Sequence, residues 1–329
     1  MNFFSKAALA ASAIALLAGT AAHAQTLRIS HQFSPGDVRH RVIELLADEV
    51  AKADVGLEFQ IFPSGSLFSP NEQWHPLTRG QVDGILYPLA YAAGRHPEFN
   101  LTLMPGIVQN HEHAARINDS EVMERLETIL NDAGVVTLVR GWLAGGFAAR
   151  DGCIRRPEDV RGLQTRAAGQ AFEEMLVGAG AAISSMPSSE VYTAMQTGVL
   201  DAMNTSSASF VSFRLYEQVK CFTPPGDHAL WFMYQPLLIS KRSWDRLSEE
   251  QQTALRDAAV VAEAYYATEG AGEDAEAVTV FENAGVEIAY MDQADFDAWM
   301  EVARETSFAA YAASTPNGQE LLDMALSVE

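Results

Sequence analysis

Apolar and polar residues follow two periods along the chain. Leu27-Arg-Ile-Ser30 alternates, as a strand does, and 57–61 (LEFQI) alternates again. Between them, in 39–53, Val42, Ile43, Leu46 and Val50 fall on one helical face. The turn-rich Phe62-Pro-Ser-Gly-Ser-Leu67 follows. Strand, helix, strand in this order predicts an α/β lobe with parallel pairing. Further strands are expected at 136–139, 163–166, 230–240 and 286–289, and a last helix over 295–307. Ser248-Glu-Glu-Gln251 is a capping box. It opens a long helical pattern with Leu255, Ala258, Ala262 and Tyr265 along one face, ending near Gly285. Gly270 and Gly272 inside it each weaken a helix by about 1 kcal/mol, which marks a crossing between lobes.

Two segments repeat one another. Residues 70–86 read PNEQWHPLTRGQVDGIL and 187–203 read PSSEVYTAMQTGVLDAM. Each opens with proline and an acidic residue, as a helix start does. Each stops at a glycine, Gly80 or Gly198, suited to the left-handed position after a helix, with Asp83 or Asp201 three residues on. The repeat predicts two lobes of similar build. The glycines of Gly141-Trp-Leu-Ala-Gly-Gly-Phe147 indicate a chain crossing between lobes or a closely approached backbone. No Gly-Lys-Ser/Thr or GxGxxG follows them, which sets a phosphate loop aside.

Composition narrows the class. Residues 1–24 carry one cation, Lys6, an apolar run from Ala7 to Ala22 and the small-x-small site Ala22-His-Ala24. This is the layout of a secretory signal peptide cleaved after Ala24, and the run falls short of the ~20 apolar residues of a membrane span. The mature protein is therefore expected outside the inner membrane and not spanning it. The formal charge is −21, or −22 once Lys6 is removed (−21 − 1), which argues against nucleic acid as a partner. Acidity does not exclude a small anion, because one buried arginine acts locally. The two cysteines, Cys153 and Cys221, are expected to form one disulfide in an exported chain, two buried thiols being the alternative.

Candidate chemistry centres on Arg161-Gly-Leu-Gln-Thr-Arg166-Ala-Ala-Gly169. Arg166 ends a strand, where ligands of parallel α/β lobes sit, and the small residues after it leave room. Its planar fork matches a carboxylate; the competing reading is a structural salt bridge. Asn110-His-Glu-His113 suggests a metal, but the segment reads as a helix start and no third ligand accompanies it. No nucleophile motif is present and no cofactor is expected.

The segments Leu27-Arg-Ile-Ser-His-Gln-Phe33, Phe62–Leu67, Gly80–Asp83, His113-Ala-Ala-Arg116, 156–166 (RPEDVRGLQTR) and 189–201 (SEVYTAMQTGVLD) together resemble the DctP-type solute receptors of TRAP (tripartite ATP-independent periplasmic) transporters. The resemblance implies a two-lobed α/β periplasmic binding protein fold, with hinged lobes around a cleft and a long helix backing both. The expected division puts 25–145 plus 230–270 in lobe I and 146–229 plus 271–329 in lobe II. It further implies a receptor without catalysis that hands an organic acid to membrane permease subunits, with Arg166 clamping the carboxylate. An exported α/β enzyme acting on an organic acid, or a ligand-binding partner of a sensor kinase, are the alternatives. Further ligand-binding candidates are His31 and Gln32 at the end of the first strand, Tyr87 and Tyr91 after the first repeat, Asn204 and Thr205 after the second, and Phe147, Trp231 and Phe232 as aromatic walls. The sequence departs from the family after Gly146-Phe147, where many members carry a second arginine and this chain has Ala148. Arg150 is the candidate replacement. Without one, a monocarboxylate with an apolar or aromatic body is expected.

Overall fold

The computed structural model describes residues 25–328; the expected signal peptide lies outside the described residues. The strands are β1 (Gln25–Ser30), β2 (Leu57–Phe62), β3 (Gly84–Leu86), β4 (Val135–Val139), β5 (Trp142–Ala149), β6 (Gln164–Ala167), β7 (Ala182–Ser185), β8 (Ala202–Ser206), β9 (Cys221–Thr223), β10 (Trp231–Tyr234), β11 (Leu237–Ser240) and β12 (Glu287–Ile288). One sheet has the order β2-β1-β3-β11-β4. The other has the order β12-β9-β5-β8-β6-β7, with β10 paired to the first half of β5. Helices cover both, giving two α/β lobes.

The repeat read from sequence organises both sheets. Gly80 and Gly198 take the left-handed φ of +68° and +77° that ends each short helix. Asp83 and Asp201 then do the same work. Asp83 Oδ2 accepts from Arg28 N on β1, and Asp201 Oδ2 accepts from Gln164 N on β6, both at 2.9 Å. These carboxylates lock the register of parallel neighbours. Ile29 sits opposite Gly84 and Ser30 opposite Ile85, as Thr165 opposes Ala202 and Arg166 opposes Met203. Antiparallel strands extend the match: Leu238 on β11 pairs with Ile85 as Ala148 on β5 pairs with Met203. Each lobe thus borrows its central antiparallel strand from the other half of the chain.

Four segments join the lobes, the last being the stretch between the helices Gln293–Ala303 and Gly318–Leu326. Arg140-Gly141 links β4 to β5 and Gln235-Pro236 links β10 to β11, and Gln235 N donates to Gly141 O at 2.8 Å. The third is the helix Glu249–Asn283, about 50 Å long at 1.5 Å per residue. Its Leu255, Ala258, Ala262 and Tyr266 enter the core beneath β1, whereas Ala277 and Phe281 enter the core beneath β8. Tyr266 is the buried member of its pair; Tyr265, expected on that face, is half-buried. A Cβ on Gly270 would approach Leu143 to 2.9 Å, so that glycine admits close packing at the crossing; Gly272 faces open space.

The sheets divide the chain differently from the expected boundaries. Residues 142–145 and 231–234 hydrogen-bond within the second sheet, because β10 pairs with β5 across Trp231–Gly145. The C-terminal region also spans both lobes. Helix Gln293–Ala303 packs near Gln170–Gly178, and helix Gly318–Leu326 packs on Glu121–Asp132. Cys153 and Cys221 are bonded, with Cα atoms 5.1 Å apart, inside the second lobe.

Candidate ligand site between the lobes

Arg166 lies in the middle of the second sheet's parallel half and is 1% exposed. Its Nε donates to Met186 O at 3.0 Å, one Nη to Asn204 O at 2.6 Å, and the other to the Tyr91 hydroxyl at 3.0 Å. All three acceptors are neutral, and no carboxylate among the described residues forms an ion pair with it. A guanidinium has five N–H groups, so two remain, one on each Nη. Burial pulls the Arg166 pKa down and Tyr91 opposes that pull. An isolated buried cation costs several kcal/mol, a cost that an arriving anion removes.

The space beside Arg166 is a cavity of about 10 Å³, room for about one water and far below the ~300–1,000 Å³ of typical ligand pockets. Pro88 and Tyr91 come from the first lobe; Ala168, Ser188 and Thr205 come from the second. Trp231, Met233 and Gln235 close it from the crossing strand. Alternation explains this wall: Trp231 and Met233 face the cavity, whereas Phe232 packs edge-on against His111 and Tyr234 against Trp142. Trp231 lies over Gly145, where a Cβ would come within 2.6 Å of its ring. The Tyr91 oxygen accepts from Arg166 and from Ser188 N at 3.3 Å, leaving its own proton to donate.

A second buried arginine borders the cavity. Arg39 stands one residue into the helix Val38–Lys52, whose N-cap is Asp37. Its Nε and one Nη grip Asp37 at 2.6 Å, and its remaining donors reach Gln235 Oε1 at 2.8 Å, Ser209 Oγ at 2.9 Å and Ser206 Oγ at 3.4 Å. Asp37 also accepts from Ser212 at 2.7 Å. The Arg39 charge is thus paired, and the pair ties the first lobe to the helix Ser207–Ser212 of the second. A cation in the first turn opposes the helix dipole; that mismatch was the available sequence signal for Arg39. Gln235 carried none beyond its place before a proline between two strands.

The structure brings Arg166, Tyr91, Thr205 and Trp231 together at the cavity. Asn204 supports Arg166 through its carbonyl and through Nδ2, which donates to Arg166 O at 3.2 Å. Tyr87 lies behind Tyr91, edge-on at 5.9 Å, and burial pushes its phenol pKa up. Gln32 reaches across the lobes to accept from Ser189 at 3.4 Å, outside the cavity lining. His31 is packed against His40, 3.0 Å between ring nitrogens, and burial with His40 lowers its pKa to about 3. The repeat accounts for its position, since counting from the aspartate clamps puts Ser30, not His31, where Arg166 stands. Phe147 stacks on Trp299 at 5.4 Å in the second lobe's core, and Phe232 faces away from the cavity as described. Arg150 does not replace the absent arginine. Its N bonds Asp201 O, at the end of the sheet remote from the cavity, and its side chain donates to Met195 O at 2.6 Å. His111 and His113 open the helix His111–Asn118 with Asn110 as cap, and His111 pairs with Asp274 at 2.8 Å.

Two lobes meeting at a small polar cavity and joined by several chain crossings define a solute-binding protein. The chain belongs to the DctP family, bacterial extracellular solute-binding protein family 7, whose model matches residues 29–313. It is similar to a solute-binding protein of Albidiferax ferrireducens, 37% identical over 312 residues and covering 92% of each chain. The crystal structure of a TRAP periplasmic solute-binding protein from Rhodoferax ferrireducens with bound malonate superposes with a TM-score of 0.89 at 36% identity, over 92% of this chain and 98% of that one. The 2,3-diketo-L-gulonate-binding periplasmic protein of Escherichia coli is 26% identical, over 96% of this chain and 95% of its own. Among the described residues, no helix is long and apolar enough to cross a membrane.

Proposed function

We propose that this protein captures a compact carboxylate in the periplasm and passes it to the membrane subunits of a TRAP transporter, without chemical change to the ligand. Export depends on residues 1–24, with cleavage after Ala24. The carrying observation is Arg166, a buried guanidinium with two uncommitted N–H groups and no carboxylate partner. A ligand carboxylate accepts both N–H groups in parallel, and the Tyr91 proton adds a third donor. Tyr91 comes from the opposite lobe, so the same contact that binds the acid holds the cleft shut. The relative from Rhodoferax ferrireducens binds malonate, a compact acid, which supports this reading.

Titration calorimetry with malonate tests the assignment. Charge-assisted bonds are worth about 1.5–3 kcal/mol, so Arg166→Gln is expected to weaken binding by roughly 10- to 150-fold while circular dichroism stays unchanged. Equal affinity in the folded variant would remove Arg166 from the site.

A further inference from the structure

We infer that the ligand carries, beside the carboxylate held by Arg166, a second group that only accepts hydrogen bonds, and that Gln235 Nε2 and Trp231 Nε1 receive it. The inference rests on the proposed carboxylate site and adds the chemistry of its other end. Gln235 and Trp231 both line the cavity, are 1% and 2% exposed, and each has a buried N–H with no partner in the protein.

The orientation of the Gln235 amide is forced. Arg39 can only donate, so the Gln235 atom 2.8 Å from its Nη is the oxygen. The nitrogen is then the free end. Arg39 itself has nothing left for a ligand, because all five of its N–H groups are engaged by Asp37, Gln235, Ser206 and Ser209. It is a positioning residue that aims Gln235. Asn204 Oδ1 is also unpartnered, but it lies off the cavity lining.

Unmatched buried donors reject a ligand that cannot accept from them, since each then stays desolvated and unpaired. The fitting classes are therefore a short dicarboxylate or oxo acid. A methyl at that end leaves the donors unpaired, and an ammonium adds a cation facing N–H groups. This departs from the sequence expectation of a monocarboxylate with an apolar body. That expectation looked for a second arginine near Ala148; the second anchor is an uncharged pair of donors on the crossing strand.

The probes are malonate, 3-oxobutyrate, butyrate and 3-aminopropionate, which are similar in size. Calorimetry on the wild-type protein should show malonate or 3-oxobutyrate binding at least tenfold tighter than butyrate, with 3-aminopropionate weakest. Gln235→Met, whose melting temperature checks the fold, should bring the affinity ratio of the favoured acid to butyrate close to one. Trp231→Phe should show a smaller loss of the same selectivity. Wild-type preference for butyrate, equal losses for all acids in Gln235→Met, or no binding of either two-acceptor acid would overturn the inference. Arg166→Gln distinguishes the two claims: it should weaken every acid alike. If it weakens none, the carboxylate site fails; if it weakens all while Gln235→Met alters no preference, only the second subsite fails.

Discussion

At the scale of single residues, Glu273 is a carboxylate held in an unfavourable place. It sits on the long helix, 6% exposed, with Arg41 Nη 3.1 Å away. Burial raises its pKa to about 7, Asp37 and Glu276 push the same way, and Arg41 and Arg39 oppose them. The folded state therefore holds this proton to higher pH than the unfolded chain, whose carboxyl titrates near 4.5. Stability from this group is fully present below about pH 4.5 and is lost as pH rises towards 7. Glu273→Gln keeps an acceptor for Arg41 and removes the titration. We expect it to raise the melting temperature at pH 8 by roughly 2–4 °C, about 1 kcal/mol after solvent screening, and to change it little at pH 4.5. An identical shift at both pH values would exclude titration as the cause. Arg166 was legible in the sequence because a strand end and a run of small residues surround it. Gln235 and Arg39 were not, because their roles come from a contact between residues 196 positions apart.

At the scale of elements, the two aspartate clamps make one bond in two environments. Asp83 is 6% exposed and accepts from Arg28 N, from Ser243 Oγ at 2.6 Å, and from Arg246. Asp201 is exposed and its side chain accepts from Gln164 N. Losing a buried acceptor strands its donors, whereas water replaces an exposed one. Asp83→Ala should cost about 3 kcal/mol and Asp201→Ala about 1 kcal/mol, read from urea midpoints; equal costs would mean that burial does not set the clamp's strength. The unit helix–glycine–aspartate–strand was readable because turn chemistry is local. The partition of residues 142–145 and 231–234 was not, because a strand's sheet is decided by its pairing, here Trp231 against Gly145.

At the scale of the whole molecule, the bonds that hold the cleft closed and the bonds that hold each lobe together are separate sets. Closure is carried by Asp37 and Arg39 on Ser206, Ser209 and Ser212, by Tyr91 on Arg166 and Ser188, and by Asp274, which joins His111 to Ser207. The Cys153–Cys221 bridge belongs to the other set: it ties the segment after β5 to β9, and β5 and β8 lie between β9 and the Arg166 strand β6. A bridge closing a 68-residue separation is worth roughly 4 kcal/mol in the chain-entropy picture, and that stabilisation acts on the unfolded chain rather than on the cleft. Replacing both cysteines with alanine should therefore lower the melting temperature markedly while leaving acid affinity at 25 °C within about twofold. The physical ground is that only interactions differing between open and closed states change binding. A loss of affinity in step with the loss of stability, measured by calorimetry on the still-folded variant, would show that the bridge shapes the cleft, and the separation between closing and lobe-forming contacts would have to be abandoned.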